Sequence, residues 1–215
     1  MEHFGIFVYN GYNLYLEAIN ETSVIDKSKE IKETVENYTK YEQLPQNYIN
    51  AVLAVEDRRF FDHNGIDIIS IMRAILTDIK ELSPVEGGST ITQQLAKNIY
   101  FTQKKEITRK VAELFMAFEI ENVLSKEEIF ELYVNTIYFG DGYYNINDAC
   151  KGYFDKKVED MDLYESTLLA GIPNAPSVYS PTKNPELAKQ RQIQVLNKMV
   201  KFNYLTQKEV DDLIQ

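Results

Sequence analysis

Residues 109–138, RKVAELFMAFEIENVLSKEEIFELYVNTIY, decide the fold class. Residues 109–124 read as one helix. Ser125 with Glu128 then forms an S-x-x-E capping box, which predicts a second helix through Tyr138. The same signature recurs at Asp162 with Glu165 and at Thr206 with Glu209, ahead of two later helices. Upstream, Pro45 opens a run in which Tyr48, Ile49, Ala51, Val52 and Val55 recur at helical steps up to Glu56. A further helical pattern follows Asp67 (Ile68, Ile71, Met72, Ile75, Leu76, Ile79) and ends in a loop over residues 83–88. Ser89 and Thr90 stand where they can cap the next helix, to about Tyr100. Few segments alternate with period two, so the expected fold is mostly α. Residues 173–181 form a proline-rich loop between helices.

The composition fits that reading. The chain has 215 residues, 44% hydrophobic and 26% charged, with 9 Gly and 6 Pro, which is the make-up of a folded globular protein. A net charge of −10 argues against a broad nucleic-acid-binding surface and against simple electrostatic adsorption to anionic lipid, so any anion site is local. Cys150, the single cysteine, has no intramolecular partner, and with 2 His a histidine-rich metal site is excluded. An oxygen-ligated divalent cation stays open. Residues 4–9, FGIFVY, are apolar but far short of the roughly 20 residues that span a bilayer. They read either as an ordinary packed element or as the trailing end of a membrane anchor. Residues 20–43 are polar and charged, an exposed arm or surface helix.

Three blocks carry chemistry. The first, EDRRFFDHNG at 56–65, brings charge abruptly to the end of an apolar helix. A carboxylate there can be desolvated enough to work as a general base near neutrality, or it can simply pair with Arg58 or Arg59. The second, GGSTITQQLAKN at 87–98, leads a glycine pair into a helix rich in hydroxyls and amides. Backbone N–H groups at such a terminus can receive a phosphate or sugar oxygen, and Gln93, Gln94 and Lys97 fall within one turn. No G-K-[ST] follows, so this is not a P-loop. The third block, residues 104–113, sets four cations (Lys104, Lys105, Arg109, Lys110) against Glu106 and places Glu113 one turn beyond Arg109. So compact a cluster suits a diphosphate, although an exposed ion pair would use the same spacing. Together the blocks suit sugar chemistry at an anionic leaving group.

With these blocks, KEEIFELYVNTIYFG at 126–140 and LLAGIPNAPSVYSP at 168–181, the chain resembles the peptidoglycan glycosyltransferases of family 51. It resembles the monofunctional biosynthetic transglycosylases in particular, and the likeness runs from about Leu44 to the C-terminus. The resemblance implies a lysozyme-like large lobe with a small membrane-contacting lobe. It implies polymerisation of lipid II into β-1,4-linked glycan, with inversion at the anomeric carbon and release of undecaprenyl diphosphate. Glu56 would be the general base and Glu113 would assist diphosphate departure. Lys97, Lys105 and Arg109 would hold the diphosphate, with Arg73 and Lys110 nearby, and Ser89, Gln93, Gln94 and Asn98 would line the sugar cleft. A divalent cation, Mg2+ or Mn2+, would accompany the diphosphate, without an organic cofactor.

The same resemblance assigns residues 1–43 to a membrane-proximal segment with a truncated anchor and 44–215 to the glycosyltransferase domain. It places the domain on the extracytoplasmic face of a bacterial plasma membrane, with Ile66, Ile68, Ile69, Ile71, Met72 and residues 75–79 dipping into the outer leaflet. Lipid II and lipid-linked nascent glycan would be its partners, together with transpeptidases and division or elongation proteins, and no nucleic acid. Inhibition by moenomycin-type phosphoglycolipids is a further expectation. Three positions depart from the family pattern: Ala112, where relatives carry a cation, and Asn145 and Asp155, where glycine is common. A lysozyme-like lytic enzyme is one rival, but it would leave the cation cluster unexplained. A non-catalytic lipid II-binding scaffold is the other, and intact Glu56, Glu113 and Lys97 make it unnecessary.

Overall fold

The computed structural model describes residues 2–69, 88–101 and 106–214. Arg73, Lys105 and the patterns read over residues 70–87 lie outside the described residues. The fold is mostly α, as the periodicity predicts. The chain divides into two compact units, Met1–Thr34 with Arg59–Tyr133, and Val35–Arg58 with Val134–Gln215.

The first unit contains α1 (Glu2–Glu21), α2 (Val24–Thr34), α4 (Ile91–Tyr100), α5 (Glu106–Val123) and most of α6 (Lys126–Val134). Its centre is α5, against which α1, α2 and α4 all pack. Ala112, Met116, Ala117 and Ile120 are fully buried along α5, and Ile91, Leu95 and Ala96 along α4. Removing these side chains from water is the main stabilising term. Residues 4–9 belong to α1, a helix that packs on α5. Among the described residues no helix is long and apolar enough to cross a membrane. The charged stretch after residue 20 forms the surface helix α2, with only Val24, Ser28 and Ile31 turned inward.

The second unit contains α3 (Gln46–Val55), α7 (Ile146–Phe154), α8 (Leu163–Gly171), α9 (Pro185–Lys201) and α10 (Gln207–Ile214). Here α3 packs on α8 and α9. Pro45 caps α3 where its fixed φ suits a helix start. The capping box predicted at Asp162 and Glu165 forms reciprocally, and Thr206 with Glu209 does the same. In the first unit Ser125 and Glu128 cap α6 as expected. That helix stops at Val134, however, and not at Tyr138. The reason is Asn135, whose side-chain amide accepts from Thr39 N at 3.0 Å and donates to Thr39 O at 2.7 Å, holding the chain in a turn.

Two of the three departures fit their places. Asp155 sits at the C-cap of α7 with φ +54°, the left-handed conformation glycine takes most readily and Asp tolerates. Asn145 has φ −151° and needs no glycine; it caps α7 by accepting from Asp148 N at 2.8 Å. Ala112 is fully buried in the face of α5 that forms the core.

Candidate active site

The first unit brings together residues 59–65 of the first block, 88–98 of the second and 106–113 of the third. Gly65, the last residue of EDRRFFDHNG, has φ +78°, and a Cβ there would stand 3.1 Å from the Ala117 backbone of α5. Its carbonyl accepts the Thr90 hydroxyl at 2.7 Å. Thr90 is also the N-cap of α4: its Oγ1 accepts from Gln93 N at 3.1 Å, while Gln93 Oε1 accepts from Thr90 N at 2.8 Å. So the end of block one, the cap of block two and the helix of block three are mutually fixed. Arg59 closes the first block by pairing with buried Asp67 at 2.7 Å.

Glu113 lies on α5 and is 1% exposed. Its Oε1 stands 2.9 Å from Arg109 Nε and its Oε2 3.0 Å from Lys110 Nζ. Lys110 Nζ also donates to Ser89 Oγ at 3.2 Å, which ties the extended residues ahead of α4 to α5. Two cations thus face one carboxylate, leaving the cluster with one positive charge in excess. Arg109 is 17% exposed and Lys110 49%, so the excess faces water at Lys110. A compact cationic face beside backbone N–H groups at a helix start can hold a doubly charged anion such as a diphosphate.

The predicted polar face of α4 divides. Lys97 is exposed and Gln94 and Asn98 half-buried, whereas Gln93 is buried with its carbonyl engaged in the cap. The T-x-x-Q spacing carries that signal. Gln94 Oε1 receives the Tyr133 hydroxyl at 3.5 Å.

One carboxylate that sequence reading passed over is Glu121, 2% exposed. It accepts from Thr92 Oγ1 at 2.6 Å and from Lys126 Nζ at 2.7 Å, and the Lys126 ammonium lies 4.4 Å from the Phe60 ring centroid. This buried network joins α4, α5, α6 and the first block. No spacing rule reveals it, because Lys126 follows Glu121 across a helix break.

Glu56 belongs to the second unit. It is the half-buried C-cap residue of α3, and its N–H donates to Val52 O at 2.8 Å. Burial, and behind it the negative charge of Glu56, pushes the Tyr48 hydroxyl well above its ordinary range. The next residues anchor the helix end: Asp57 is buried, and the Arg58 guanidinium lies 4.5 Å from the Phe202 ring centroid. This unit also contains a hub the sequence did not announce. Asp141, at φ +50°, accepts Ser180 Oγ at 2.9 Å, pairs with Lys183 Nζ at 2.9 Å and accepts the Thr182 hydroxyl. Those contacts hold the Asp141 carboxyl down at about 2 and join the residue that follows KEEIFELYVNTIYFG to the end of LLAGIPNAPSVYSP and the two residues after it.

The sequence model of the Transglycosylase family matches residues 21–200. Among similar proteins, penicillin-binding protein 1A of Neisseria flavescens is 42% identical over 83% of this chain, and penicillin-binding protein 1A of Aquifex aeolicus 41% identical over 82%. Penicillin-binding protein 1F of Bacillus subtilis is 45% identical over 78%. The chain therefore belongs to the transglycosylase family. It spans 22%, 24% and 23% of the length of those three relatives.

Proposed function

We propose that this domain is a peptidoglycan glycosyltransferase that polymerises lipid II at the outer face of a bacterial plasma membrane. The observation that carries the reading is the buried Glu113 held by Arg109 and Lys110, with Lys110 reaching Ser89. Family membership supports it, and the excess positive charge of that cluster matches a donor activated by diphosphate.

In the proposed reaction the 4-hydroxyl oxygen of the acceptor GlcNAc forms a bond to the donor's anomeric carbon from the face opposite the leaving group. The bond from that carbon to the diphosphate oxygen breaks, its electron pair stays with the diphosphate, and the configuration inverts. Glu56 takes the hydroxyl proton as general base. Arg109 and Lys110 meet the charge that grows on the departing undecaprenyl diphosphate, and Glu113 orients them. Lys97, Lys105 and Arg73 join the diphosphate contacts, Ser89, Gln94 and Asn98 address the sugars, and Gln93 serves them by holding the start of α4. The described residues do not offer a protein-built site for Mg2+ or Mn2+, since both Glu113 oxygens face cationic nitrogens. Such an ion would travel with the diphosphate oxygens, and the roles given to the side chains do not need it. The same cationic face would receive a moenomycin-type phosphoglycolipid.

The test is incubation with labelled lipid II in detergent, with products separated before and after lysozyme digestion. Lysozyme-sensitive polymer is expected. Untouched lipid II together with cleavage of preformed glycan would replace this reading with a lytic one.

A further inference from the structure

Helix α1 meets α5 at a point where only glycine fits. Gly11 is buried, and a Cβ built on it would stand 2.4 Å from Val111 Cβ, 2.5 Å from Val111 Cγ1 and 3.0 Å from the Thr108 carbonyl oxygen. No carbon atom occupies such a position without displacing backbone, because the obstructing Cβ is fixed to α5 itself. Further along the same seam, the Tyr12 and Tyr15 rings lie 5.0 Å and 5.9 Å from Phe115, and the Tyr15 hydroxyl reaches Glu119 at 3.5 Å. Thr108, Val111, Phe115 and Glu119 follow one another at three- and four-residue steps, so α1 lies along one stripe of α5 for about three turns.

That stripe has a fixed relation to the cation cluster. Val111 stands two positions from Glu113 and two from Arg109, about 200° around the helix in either sense, so both point away from the seam. Pressure on Val111 therefore drives α5 towards the side on which Glu113, Arg109 and Lys110 meet. We infer that α1 is a splint that sets the position of this turn of α5, and that Gly11 is the positioning residue through which it does so. Gly11 touches no reacting group; it acts by letting α1 close to its seat. It also lies upstream of the residues that the family model matches. The activity arm of the test below rests on the glycosyltransferase reading; the structural arm does not.

The experiment uses the full chain carrying Gly11→Ala, Val111→Gly, the pair together, and Tyr12→Ala. Tyr12 is half exposed, so that variant loosens the splint without a clash. Backbone amide resonances of Arg109, Lys110 and Glu113 are recorded for each, with kcat and KM for lipid II. In Gly11→Ala those amides shift and KM rises about tenfold, within the roughly hundredfold that a 1 Å misplacement can cost. In the double variant, where α5 supplies the missing space, amides and KM return towards the wild-type values. Tyr12→Ala gives the same changes in smaller degree. Loss of folded molecules alone would lower apparent kcat at unchanged KM, and that outcome overturns the proposal. So do unmoved amides in Gly11→Ala or Tyr12→Ala, or a double variant no closer to wild type than Gly11→Ala. If Gly11→Ala fails to fold, a double variant that folds with wild-type amide positions supports the splint, and Tyr12→Ala decides if neither folds. A wild-type chain that makes no polymer, while the amides respond as stated, rejects the proposed function and leaves the splint standing.

Discussion

Lys110 Nζ stands 3.2 Å from Ser89 Oγ, and that contact binds the start of α4 to the helix that carries Glu113. A half-exposed ammonium held at both ends by partners it can exchange is suited to receiving an anion. Lys110→Ala is expected to raise KM for lipid II about tenfold, the loss of one charge-assisted contact, with a modest fall in melting temperature because the buried Glu113 keeps Arg109 as its partner. Arg109→Ala should do the same with a larger fall in stability, since its guanidinium is less exposed. Steady-state kinetics with thermal melts checks both.

Glu121 offers a contrast, since its side chain is 2% exposed and its oxygen is taken by Thr92 and Lys126. Glu121→Ala leaves Thr92 and Lys126 without their shared acceptor, at an expected cost of about 3 kcal/mol. Chemical denaturation measures it. Glu121→Gln keeps one acceptor oxygen and is expected to cost less. A neutral result for Glu121→Ala would remove the network from the account of the fold.

Asp141 gives the fold an acid dependence with a definite sign. Its carboxyl lies at about 2 in the folded chain, against an ordinary value of 3.8. A lowered folded value means the contribution is complete above pH 4 and is lost as pH falls towards 2. The stability difference between wild type and Asp141→Asn should therefore be largest near neutrality and shrink between pH 4 and pH 2. Urea unfolding at pH 6, 4 and 2.5 reads the trend, and a difference independent of pH would count against the Ser180–Thr182–Lys183 hub.

Asp155 is strained by its left-handed conformation, and its ion pair with Lys151 is exposed. Asp155→Gly is expected to stabilise by about 0.5 kcal/mol, whereas Asp155→Val, β-branched at positive φ, should destabilise by about 1–2 kcal/mol. Melting temperatures of the two variants should bracket that of wild type.

Much of this was legible in the chain, wherever the physics is local. The boxes at Ser125, Asp162 and Thr206 fixed three helix starts because a cap involves four consecutive residues. The Pro45–Glu56 run was legible for the same reason. What escaped was set by distant partners. Asn135 ends α6 early because Thr39, far upstream, takes its amide. Glu121 finds Thr92 and Lys126 through the packing of three helices, and Asp141 finds Ser180 across 39 positions of sequence. Glycine at position 11 carried no signal until α5 appeared opposite it. Among the site residues, the Arg109–Lys110–Glu113 spacing foretold their meeting, while the bond from Lys110 to Ser89 needed the tertiary fold.

The most direct test of the proposed chemistry is a Glu56→Gln variant, assayed for lipid II binding and for polymer in parallel. The amide keeps the size of the side chain but cannot accept a proton. Binding within about threefold of wild type is expected, with polymerisation reduced by about a hundredfold or more, the contribution of a positioned base. A Glu56→Gln chain that polymerised lipid II near the wild-type rate would contradict it.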